Sequence, residues 1–492
     1  MIEFKSFGDN IYAWDEEIGL FIPYSADMRA VMDELLNTNS VTKEEIIEKF
    51  KGDFKEEDIA FCYDWAHKWK KIRSQDNDKL RDNLYDELSE SSVKTYLLKY
   101  GLGQLTLNVT EDCNFRCKYC AYNPGNYEYN RSYSNKYMEF SVAKKAIDYY
   151  FSLLLEGRRY NPIRAPAISF FGGEPLLNFN LIKKCVNYIN DRYKDDKVLY
   201  YGVTTNGTLL DDEKINWLIQ NNFDIDISLD GPKDEHDRNR VYKNGKGTFK
   251  DVMRNVTKLI DAKYEHVKII SIFDWKSDLS KLDNFFSRKD IPPLSLLGAV
   301  SNVKGCNYYN RFSVEDHNAF IRQMDRAKVK YLEEYSKLDE QLEKKSVFHK
   351  LFKEGPVKII NGASPAFSKP LSIMPFTGAC IPGSRIFVDV KGDFHICEKV
   401  IETNPIGNVD KGLDFGKIKK FLSEYMHHMD KCPSCKLRRA CPYCYIHFMN
   451  DKGFSYSSEI CKNVESFQSN YFTMAFSLGE KDPEYIKNSA NY

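Results

Sequence analysis

The chain has 492 residues, which is long for one ordinary domain and predicts about two to four domains. Its 71 basic residues balance its 71 acidic residues, so neither nucleic acid nor an anionic membrane is expected as a main partner. The sequence contains no apolar run of about 18 residues and no secretory signal pattern. In that setting, clusters among the 13 cysteines favour metal or cluster binding over disulfides.

Residues 1–75 predict a small separate module. Two short apolar runs, residues 11–14 and 20–23, flank a turn-like segment and predict a hairpin. Helical periodicity and an N-cap residue predict three helices, over about residues 27–36, 42–50 and 56–72. Two strands followed by three helices are typical of a winged-helix-like module, but its many acidic residues argue against DNA binding. A packing domain without any ligand remains the alternative.

Residues 76–100 are predicted to form a linker that is partly helical, and residues 105–109 alternate as a strand. Three cysteines follow the strand within eight residues, at Cys113, Cys117 and Cys120. Zinc sites usually close with four ligands, commonly as two Cys-x-x-Cys pairs, whereas three thiolates leave one iron of a four-iron cluster open. This spacing predicts an iron–sulfur cluster, with half a zinc site or a chance cluster as the alternatives.

The three-cysteine spacing resembles the signature of radical S-adenosylmethionine (SAM) enzymes. The resemblance implies that the open iron binds the amino and carboxylate groups of SAM. It also implies that one electron from the reduced cluster yields a 5′-deoxyadenosyl radical, which abstracts a hydrogen atom. Tyr119 occupies the aromatic position of this motif and is therefore expected near the adenine.

The following segment alternates strands and helices. A strand over residues 167–171 leads into Gly172, Gly173, Glu174 and Pro175. Two glycines let the backbone approach a ligand closely, and Glu174 can accept a hydrogen bond from an ammonium group. The tetrapeptide resembles the family's GGEP motif, which contacts the amino group of SAM.

Further strands are predicted over residues 199–204, 224–229, 267–273 and 294–299. Roughly six strand–helix units imply an α/β fold with a parallel sheet and a site at its carboxyl edge. The family version is a partial (β/α)6 barrel, expected here over residues 101–309. A helical bridging segment is expected over 310–370, with a helix over residues 319–344.

Asn206, Ser228 and Arg240 follow strands in this region, in segments that resemble sulfatase-maturating enzymes. The resemblance implies that these polar groups hold the ribose and the carboxylate of SAM. A surface salt bridge is the alternative role for Arg240.

Residues 371–492 resemble a SPASM domain, which holds auxiliary iron–sulfur clusters. Its cysteines are Cys380, Cys397, Cys432, Cys435, Cys441, Cys444 and Cys461. Two residues separate Cys441 from Cys444, where the family usually has three, and the two Cys-x-x-Cys pairs would also suit zinc.

The family's interleaved pattern assigns four of these thiolates to one cluster: Cys432, Cys435, Cys441 and Cys461. It leaves Cys380, Cys397 and Cys444 for the other cluster, with Cys306 as a possible fourth ligand. If one iron stays open instead, it would bind a substrate cysteine, which favours thioether formation. Glu398 stands where sulfatase maturases have an aspartate that acts as a base, and a charged strand-end residue is the alternative.

The resemblance as a whole implies a radical SAM/SPASM peptide maturase with SAM and three 4Fe–4S clusters. We expect it to install a thioether crosslink in a ribosomally made, Cys-containing precursor peptide, whose leader binds the N-terminal module. An external flavodoxin or ferredoxin would supply electrons, and the oxygen lability of such clusters favours the cytoplasm. The alternatives are carbon–carbon crosslinking, epimerisation, formylglycine formation in a sulfatase, or a zinc-stabilised peptide-binding protein without catalysis.

Overall fold

Most of the chain is described by a computed structural model. The described residues are 1–16, 18–38, 40–80, 88–126, 131–194, 200–300, 306–335, 340–362, 380–399, 404–432, 434–437, 440–450 and 453–482. Leu199, predicted to begin a strand, and residues 371–379, predicted to begin the C-terminal domain, lie outside these ranges. Within the described ranges, no helix combines the length and the apolar character that crossing a membrane requires.

The N-terminal module contains a three-stranded antiparallel sheet and three helices. The strands are β1 (Ile2–Lys5), β2 (Ile11–Asp15) and β3 (Leu20–Pro23), with β2 in the centre. The helices are α1 (Ala26–Asn37), α2 (Lys43–Phe50) and α3 (Glu56–Leu80). The predicted hairpin and three helices are present, and β1 is an additional strand. Thr42 begins α2 through a capping box with Glu45, because each side chain accepts a hydrogen bond from the other's backbone N–H.

The partly helical linker predicted over residues 76–100 contains α4 (Glu90–Tyr100) in its second half. Val93, Leu97 and Leu98 lie on one face of α4 and are buried in the main hydrophobic core. Ser89 caps the helix by accepting a hydrogen bond from the backbone N–H of Ser92. An amphipathic helix that buries this apolar face is part of the core and does not act as a free connection.

A ten-stranded sheet follows α4, and six of its strands form the predicted parallel unit. These are β4 (Gln104–Thr110), β5 (Ala167–Gly172), β6 (Tyr200–Thr205), β7 (Phe223–Ser228), β8 (Val267–Phe273) and β9 (Leu294–Ala299). Each pairs in parallel with the next. The predicted parallel α/β arrangement is therefore confirmed.

Helices alternate with these strands, and all of them except α8 bury apolar residues in the same core. They are α5 (Phe140–Gly157), α6 (Phe179–Arg192), α7 (Asp212–Gln220), α8 (Lys233–Asn239), α9 (Phe249–Asp261) and α10 (Leu279–Phe286). In α9 the buried residues Val252, Val256 and Leu259 recur at helical spacing, which explains how one face reaches the sheet. Asp211 and Asp278 cap α7 and α10 by accepting backbone N–H bonds three residues ahead.

The bridging segment contains α11 (Val314–Glu333), which begins five residues before the predicted helix. Ser313 fixes this start, because it forms a capping box with Asp316. Shorter helical pieces follow, namely α12 (Glu340–Glu343), α13 (Val347–His349), a π-helical turn (Lys350–Glu354) and α14 (Gly355–Gly362). The predicted single helix is therefore a succession of pieces.

The C-terminal region extends the ten-stranded sheet beyond β4. Its strands are β10 (Arg385–Val388), β11 (Asp393–His395), β12 (Gly407–Asn408) and β13 (Gly412–Leu413). β10 pairs in parallel with β4, and β11 to β13 follow in antiparallel register. Ile386 and Val388 share the core of Leu105 and Leu107. The C-terminal cysteines are thus attached directly to the strand that precedes the first cysteine loop.

The remaining elements of the C-terminal region are α15 (Phe415–His428), the hairpin β14 (Met449–Asn450) and β15 (Gly453–Phe454), and α16 (Ser458–Lys481). α15 packs beside α4, with Leu422 buried in the main core. α16 packs instead against α14 and β1, so it connects the bridging segment with the N-terminal module.

Replacing Leu98 in α4 by alanine is expected to lower the free energy of unfolding by about 2–5 kcal/mol, because it leaves a cavity in the main core. The matched control is Thr95→Ala on the exposed side of the same helix, where a change below about 0.5 kcal/mol is expected. Chemical denaturation followed by circular dichroism measures both. Equal, small effects would show that α4 is a linker after all.

Candidate active site

The first cysteine loop leaves the carboxyl end of β4 and is fixed by backbone hydrogen bonds. The N–H groups of Arg116 and Lys118 donate to the carbonyls of Val241 and Asn239 at 2.8 and 2.9 Å. Cys113 and Cys117 are buried, and Cys120 is half-buried. These bonds fix the loop to the end of α8 and to the segment that follows it.

The three thiols of this loop lie close enough to influence one another. Burial raises the pKa of the Cys113 thiol, and the charges of Glu174, Cys117 and Cys120 raise it further. Backbone N–H groups of Phe115 and Tyr122 donate to the sulfurs of Cys113 and Cys120, both at 3.4 Å. Such donors stabilise thiolate sulfur, and a metal cluster supplies the positive charge that converts buried thiols into thiolates.

The glycine pair after β5 lies directly against the stem of the cysteine loop. The N–H of Gly173 donates to the carbonyl of Thr110, and the N–H of Glu174 donates to the carbonyl of Asp112, both at 2.8 Å. A Cβ atom on Gly173 would collide with the Asp112 carbonyl oxygen. Only glycine permits this approach, so the pair positions its backbone beside Cys113.

The carboxylate of Glu174 is fully buried and already has three donors. It accepts hydrogen bonds from the Thr205 hydroxyl and the Asn206 N–H at 2.7 Å, and from the Leu176 N–H at 3.1 Å. Burial raises the pKa of this carboxyl to about 7, although the three hydrogen bonds oppose the rise. Glu174 therefore ties the ends of β5 and β6 together, and Pro175 begins a short buried 3₁₀ turn after it.

Asn206 connects the β6 loop to the first cysteine loop. Its amide donates to the side-chain oxygen of Asn114 at 2.7 Å, and its own oxygen accepts from the N–H of Thr208 at 3.0 Å. Asn114 in turn donates to the Thr208 hydroxyl at 2.9 Å. Because Asn114 directly follows Cys113, this closed set of bonds fixes the first cysteine relative to the sheet.

Arg240 is buried, so the surface salt bridge weighed for it is wrong. Its Nε donates to Asp230 at 2.9 Å, and the Tyr119 hydroxyl donates to the same carboxylate oxygen at 2.6 Å. The guanidinium lies 5.4 Å from the centre of the Tyr119 ring. Burial raises the pKa of the Cys117 thiol to about 12, and the charge of Arg240 partly opposes that rise. Arg240, Tyr119 and Cys117 therefore form one buried group.

Asp230 is the site residue that the sequence analysis did not single out. Its second oxygen accepts from the N–H of Ile272 at 3.0 Å, and its own N–H donates to Nδ1 of the buried His236 at 3.2 Å. Asp230 lies two residues after Ser228, in the same segment that resembles sulfatase-maturating enzymes. Ser228 itself is the half-buried last residue of β7, at the same edge of the sheet.

The C-terminal cysteines form two groups. Burial raises the pKa of the Cys432 thiol to about 12, and the charges of Cys435, Cys441 and Cys461 raise it further. In the second group, burial raises the pKa of the Cys397 thiol to about 12, helped by the charges of Glu398, Cys380 and Cys444. The charges of these thiols therefore act within the two sets of the interleaved pattern, and the charge of Cys444 also raises the pKa of the Cys441 thiol across the two sets.

Glu398 and Cys306 lie in different places. Glu398 is close to all three cysteines of the second group, because its charge raises the pKa of the Cys380, Cys397 and Cys444 thiols. Cys306 instead packs with an aromatic cluster that includes Tyr119 and Tyr308, beside the first cysteine loop.

The ligand set of all three cysteine groups consists of thiols. Thiolates are soft ligands that suit iron–sulfur clusters and zinc. The chemistry of these donors therefore fits the clusters that the sequence predicts.

Comparison with known proteins agrees with this geometry. Residues 107–274 match the radical SAM superfamily. An uncharacterized protein of Methanocaldococcus jannaschii is 38% identical over 156 residues, which are 32% of this chain and 48% of that protein. A cysteine-type anaerobic sulfatase-maturating enzyme of Clostridium novyi is 25% identical over 231 residues, 45% of this chain and 58% of the enzyme. The chain thus spans about half the length of these curated relatives.

A solved structure extends the likeness of the fold beyond the matched residues. Native anSMEcpe with bound AdoMet superposes with a TM-score of 0.56 and 21% identity, over 79% of this chain and 100% of that one. The superposition includes much more of the chain than the matched segment, so the fold of the two proteins agrees outside the parallel strands as well. Together with the braced three-cysteine loop, these findings establish that the chain contains a radical SAM domain, which comprises residues 107–274.

Proposed function

We propose that the chain is a radical SAM enzyme that modifies a peptide. The observation that carries the proposal is the three-cysteine loop, braced by Arg240, Asp230 and the glycine pair at the carboxyl edge of a parallel sheet. When bound, the cluster and SAM would supply a 5′-deoxyadenosyl radical that abstracts a hydrogen atom from the substrate.

The residues of this chain would hold those groups in place. Cys113, Cys117 and Cys120 would ligate three irons through their thiolates. The backbone at Gly172 and Gly173 would receive the amino group of SAM. The missing side chains let this backbone lie against the carbonyls of Thr110 and Asp112 at the stem of the cysteine loop. Glu174 has three protein donors, so its main contribution is to place this backbone, and to add negative charge beside the ammonium.

Asn206, Ser228 and Tyr119 would surround the nucleoside part of SAM from the same sheet edge. Arg240 would contribute positive charge for the carboxylate of SAM, in addition to its bond with Asp230. A guanidinium has five N–H donors, and Nε uses one of them on Asp230, which leaves capacity for a second anion.

A peptide substrate is supported by the relatives and by the C-terminal cysteines. The sulfatase-maturating enzymes act on proteins by name, and the anSMEcpe structure also exists with a bound Cp18Cys peptide. Here the two further cysteine groups would hold two auxiliary 4Fe–4S clusters. The group of Cys380, Cys397 and Cys444 has only three thiolates, so a cysteine of the substrate would complete it, with Glu398 beside it as a base.

The specific product that we propose is a thioether between a cysteine sulfur and a carbon of a precursor peptide. The leader of that peptide would add a strand at β3, one edge of the three-stranded sheet, because the other edge strand, β1, already packs against α16. A flavodoxin or ferredoxin would supply the electrons.

Formylglycine formation in a sulfatase is the second candidate, and the match to a sulfatase-maturating enzyme favours it. The two products differ in mass and in thiol count. A thioether lowers the peptide mass by two hydrogens and removes a free thiol, with no exchange of sulfur for oxygen. Formylglycine formation replaces the cysteine sulfur by a carbonyl oxygen.

Iron analysis tests the three groups of thiolates. After anaerobic purification, the parent protein is expected to hold about twelve irons, and the Cys113/Cys117/Cys120→Ala variant about eight. Cys185→Ala, a buried cysteine in α6 outside the three groups, is the matched control and should retain the parent value. Stoichiometric zinc with little iron would contradict the proposal.

The Arg240–Asp230 pair gives a prediction on stability and SAM binding. Arg240→Gln leaves the Asp230 carboxylate buried without its cation, so the free energy of unfolding should fall by about 3–5 kcal/mol. Arg240→Gln with Asp230→Asn removes both charges and should recover most of the loss. Arg254→Gln, which breaks an exposed pair with Asp251, is the control and should cost less than about 1 kcal/mol.

SAM affinity separates the two roles of Arg240. If the guanidinium also contacts the SAM carboxylate, the stable double variant will still bind SAM at least tenfold more weakly than the parent protein, because a charge-assisted bond is lost. Parent-like SAM affinity in the double variant would confine Arg240 to its pair with Asp230.

A further inference from the structure

The sheet of the N-terminal module buries both of its faces. Ala13 and Ile22 lie on the face that packs against α1, α2 and α3. Phe4 and Trp14 lie on the opposite face and pack with Phe472 of α16 and with Leu437. The opposite burial of the neighbours Ala13 and Trp14 follows from the two-residue period of a strand. The second face therefore rests on the C-terminal region.

Trp14 makes the contact with the cysteine loop between α15 and β14. Its side chain is fully buried, and its indole N–H donates to the backbone carbonyl of Lys436 at 3.2 Å. Lys436 directly follows Cys435. The half-buried Cys435 and Cys441 pack against the same hydrophobic cluster as the indole ring.

The cysteine loop has few internal supports of its own. Between Cys432 and Cys444 it contains turns but no helix or strand in the described residues. Short-range backbone bonds close those turns, from the Cys435 N–H to the Cys432 carbonyl at 3.0 Å and from the Ala440 N–H to the Leu437 carbonyl at 2.9 Å. A loop of this kind depends on contacts from neighbouring elements for its position.

The module is also fixed to α16, the helix that carries Cys461. The side chains of Asn10 and Tyr12 donate to Glu480 at 2.9 and 2.8 Å, and the N–H of Phe7 donates to the Ser477 hydroxyl at 2.9 Å. The module therefore touches both segments that contribute thiolates to this cysteine group. Its position and the position of those thiolates are linked.

We infer that Trp14 is a positioning residue for the cysteine group of Cys432, Cys435, Cys441 and Cys461. Its N–H fixes the loop carbonyl beside Cys435, and its ring excludes water from that side of the thiolates. Because the second face of its sheet packs against the C-terminal region, the module also helps to retain the auxiliary cluster, independent of any peptide that it binds. The role for the cluster rests on the proposed function, but the restraint on the loop does not.

Deleting the N-terminal module would remove peptide binding and expose the thiolates near Cys435 at the same time. Loss of activity in such a truncation would therefore not identify the module as a leader-binding domain. A substitution at Trp14 separates the two effects, because β3 and its open edge stay intact.

The test measures how fast Cys435 is alkylated by iodoacetamide in the reduced, metal-free full-length chain, using mass spectrometry. Trp14→Phe keeps an aromatic ring and removes the N–H, so alkylation of Cys435 should become about fivefold faster, the change expected from one ordinary hydrogen bond. Tyr63→Phe is the matched control. It removes a hydrogen bond to the carbonyl of Val41 on the helical side of the same module and should leave the Cys435 rate unchanged.

Cys62, buried in the core of the module, is the internal reference for unfolding. Faster alkylation of Cys435 with an unchanged rate at Cys62 supports the inference. Equal rates of Cys435 in Trp14→Phe and Tyr63→Phe overturn it, as does an equal acceleration at Cys62, which would mean that the module simply unfolds. Because the chain is metal-free, the result is independent of iron content, and iron analysis of the parent protein decides the proposed function separately.

Discussion

The first cysteine loop depends on a buried pair of charges, Arg240 and Asp230. A buried ion pair is favourable only when its remaining donors and acceptors are satisfied. Here the Tyr119 hydroxyl and the Ile272 N–H donate the further hydrogen bonds that the Asp230 carboxylate needs. The same guanidinium lies beside Cys117, where its charge favours the thiolate. The pair therefore connects β7, β8 and the cysteine loop in one arrangement, and the position of each thiol depends on it.

Two connections bring the C-terminal cysteines to this edge of the molecule. One is the parallel pairing of β10 with β4, which makes the segment between Cys380 and Cys397 a continuation of the parallel sheet. The other is the contact of the N-terminal sheet with α16 and the Cys435 loop. Neither connection is local in sequence, and together they place the three groups of thiols in one folded unit.

The sequence predicts much of the fold because its patterns are local. Alternating strands and amphipathic helices between residues 104 and 299 have clear periods, and the parallel sheet that they imply is confirmed. β10 has only four residues, three of them apolar, and nothing in this short sequence indicates that it pairs with β4. The polar residues before α4 predict a partly helical linker, and the helical spacing of Val93, Leu97 and Leu98 marks the part that joins the core.

The residues of the candidate site also fall into two kinds, those that a short sequence motif identifies and those that only the folded structure brings together. Cysteine spacing and the glycine pair are short motifs, so the sequence identified them directly. Asp230 was missed because its importance comes from Arg240 and Tyr119, which approach it from other segments of the chain. The contact of Trp14 with Lys436 joins residues 422 positions apart, and no local pattern predicts it.

The most direct test of the central claim is the anaerobic formation of 5′-deoxyadenosine from SAM by the iron-loaded protein, with dithionite as the electron source. The account predicts that the parent protein forms 5′-deoxyadenosine, while the Cys113/Cys117/Cys120→Ala variant, with its other cysteine groups intact, forms none. Equal amounts from both proteins, or none from an iron-loaded parent protein that binds SAM, would contradict it.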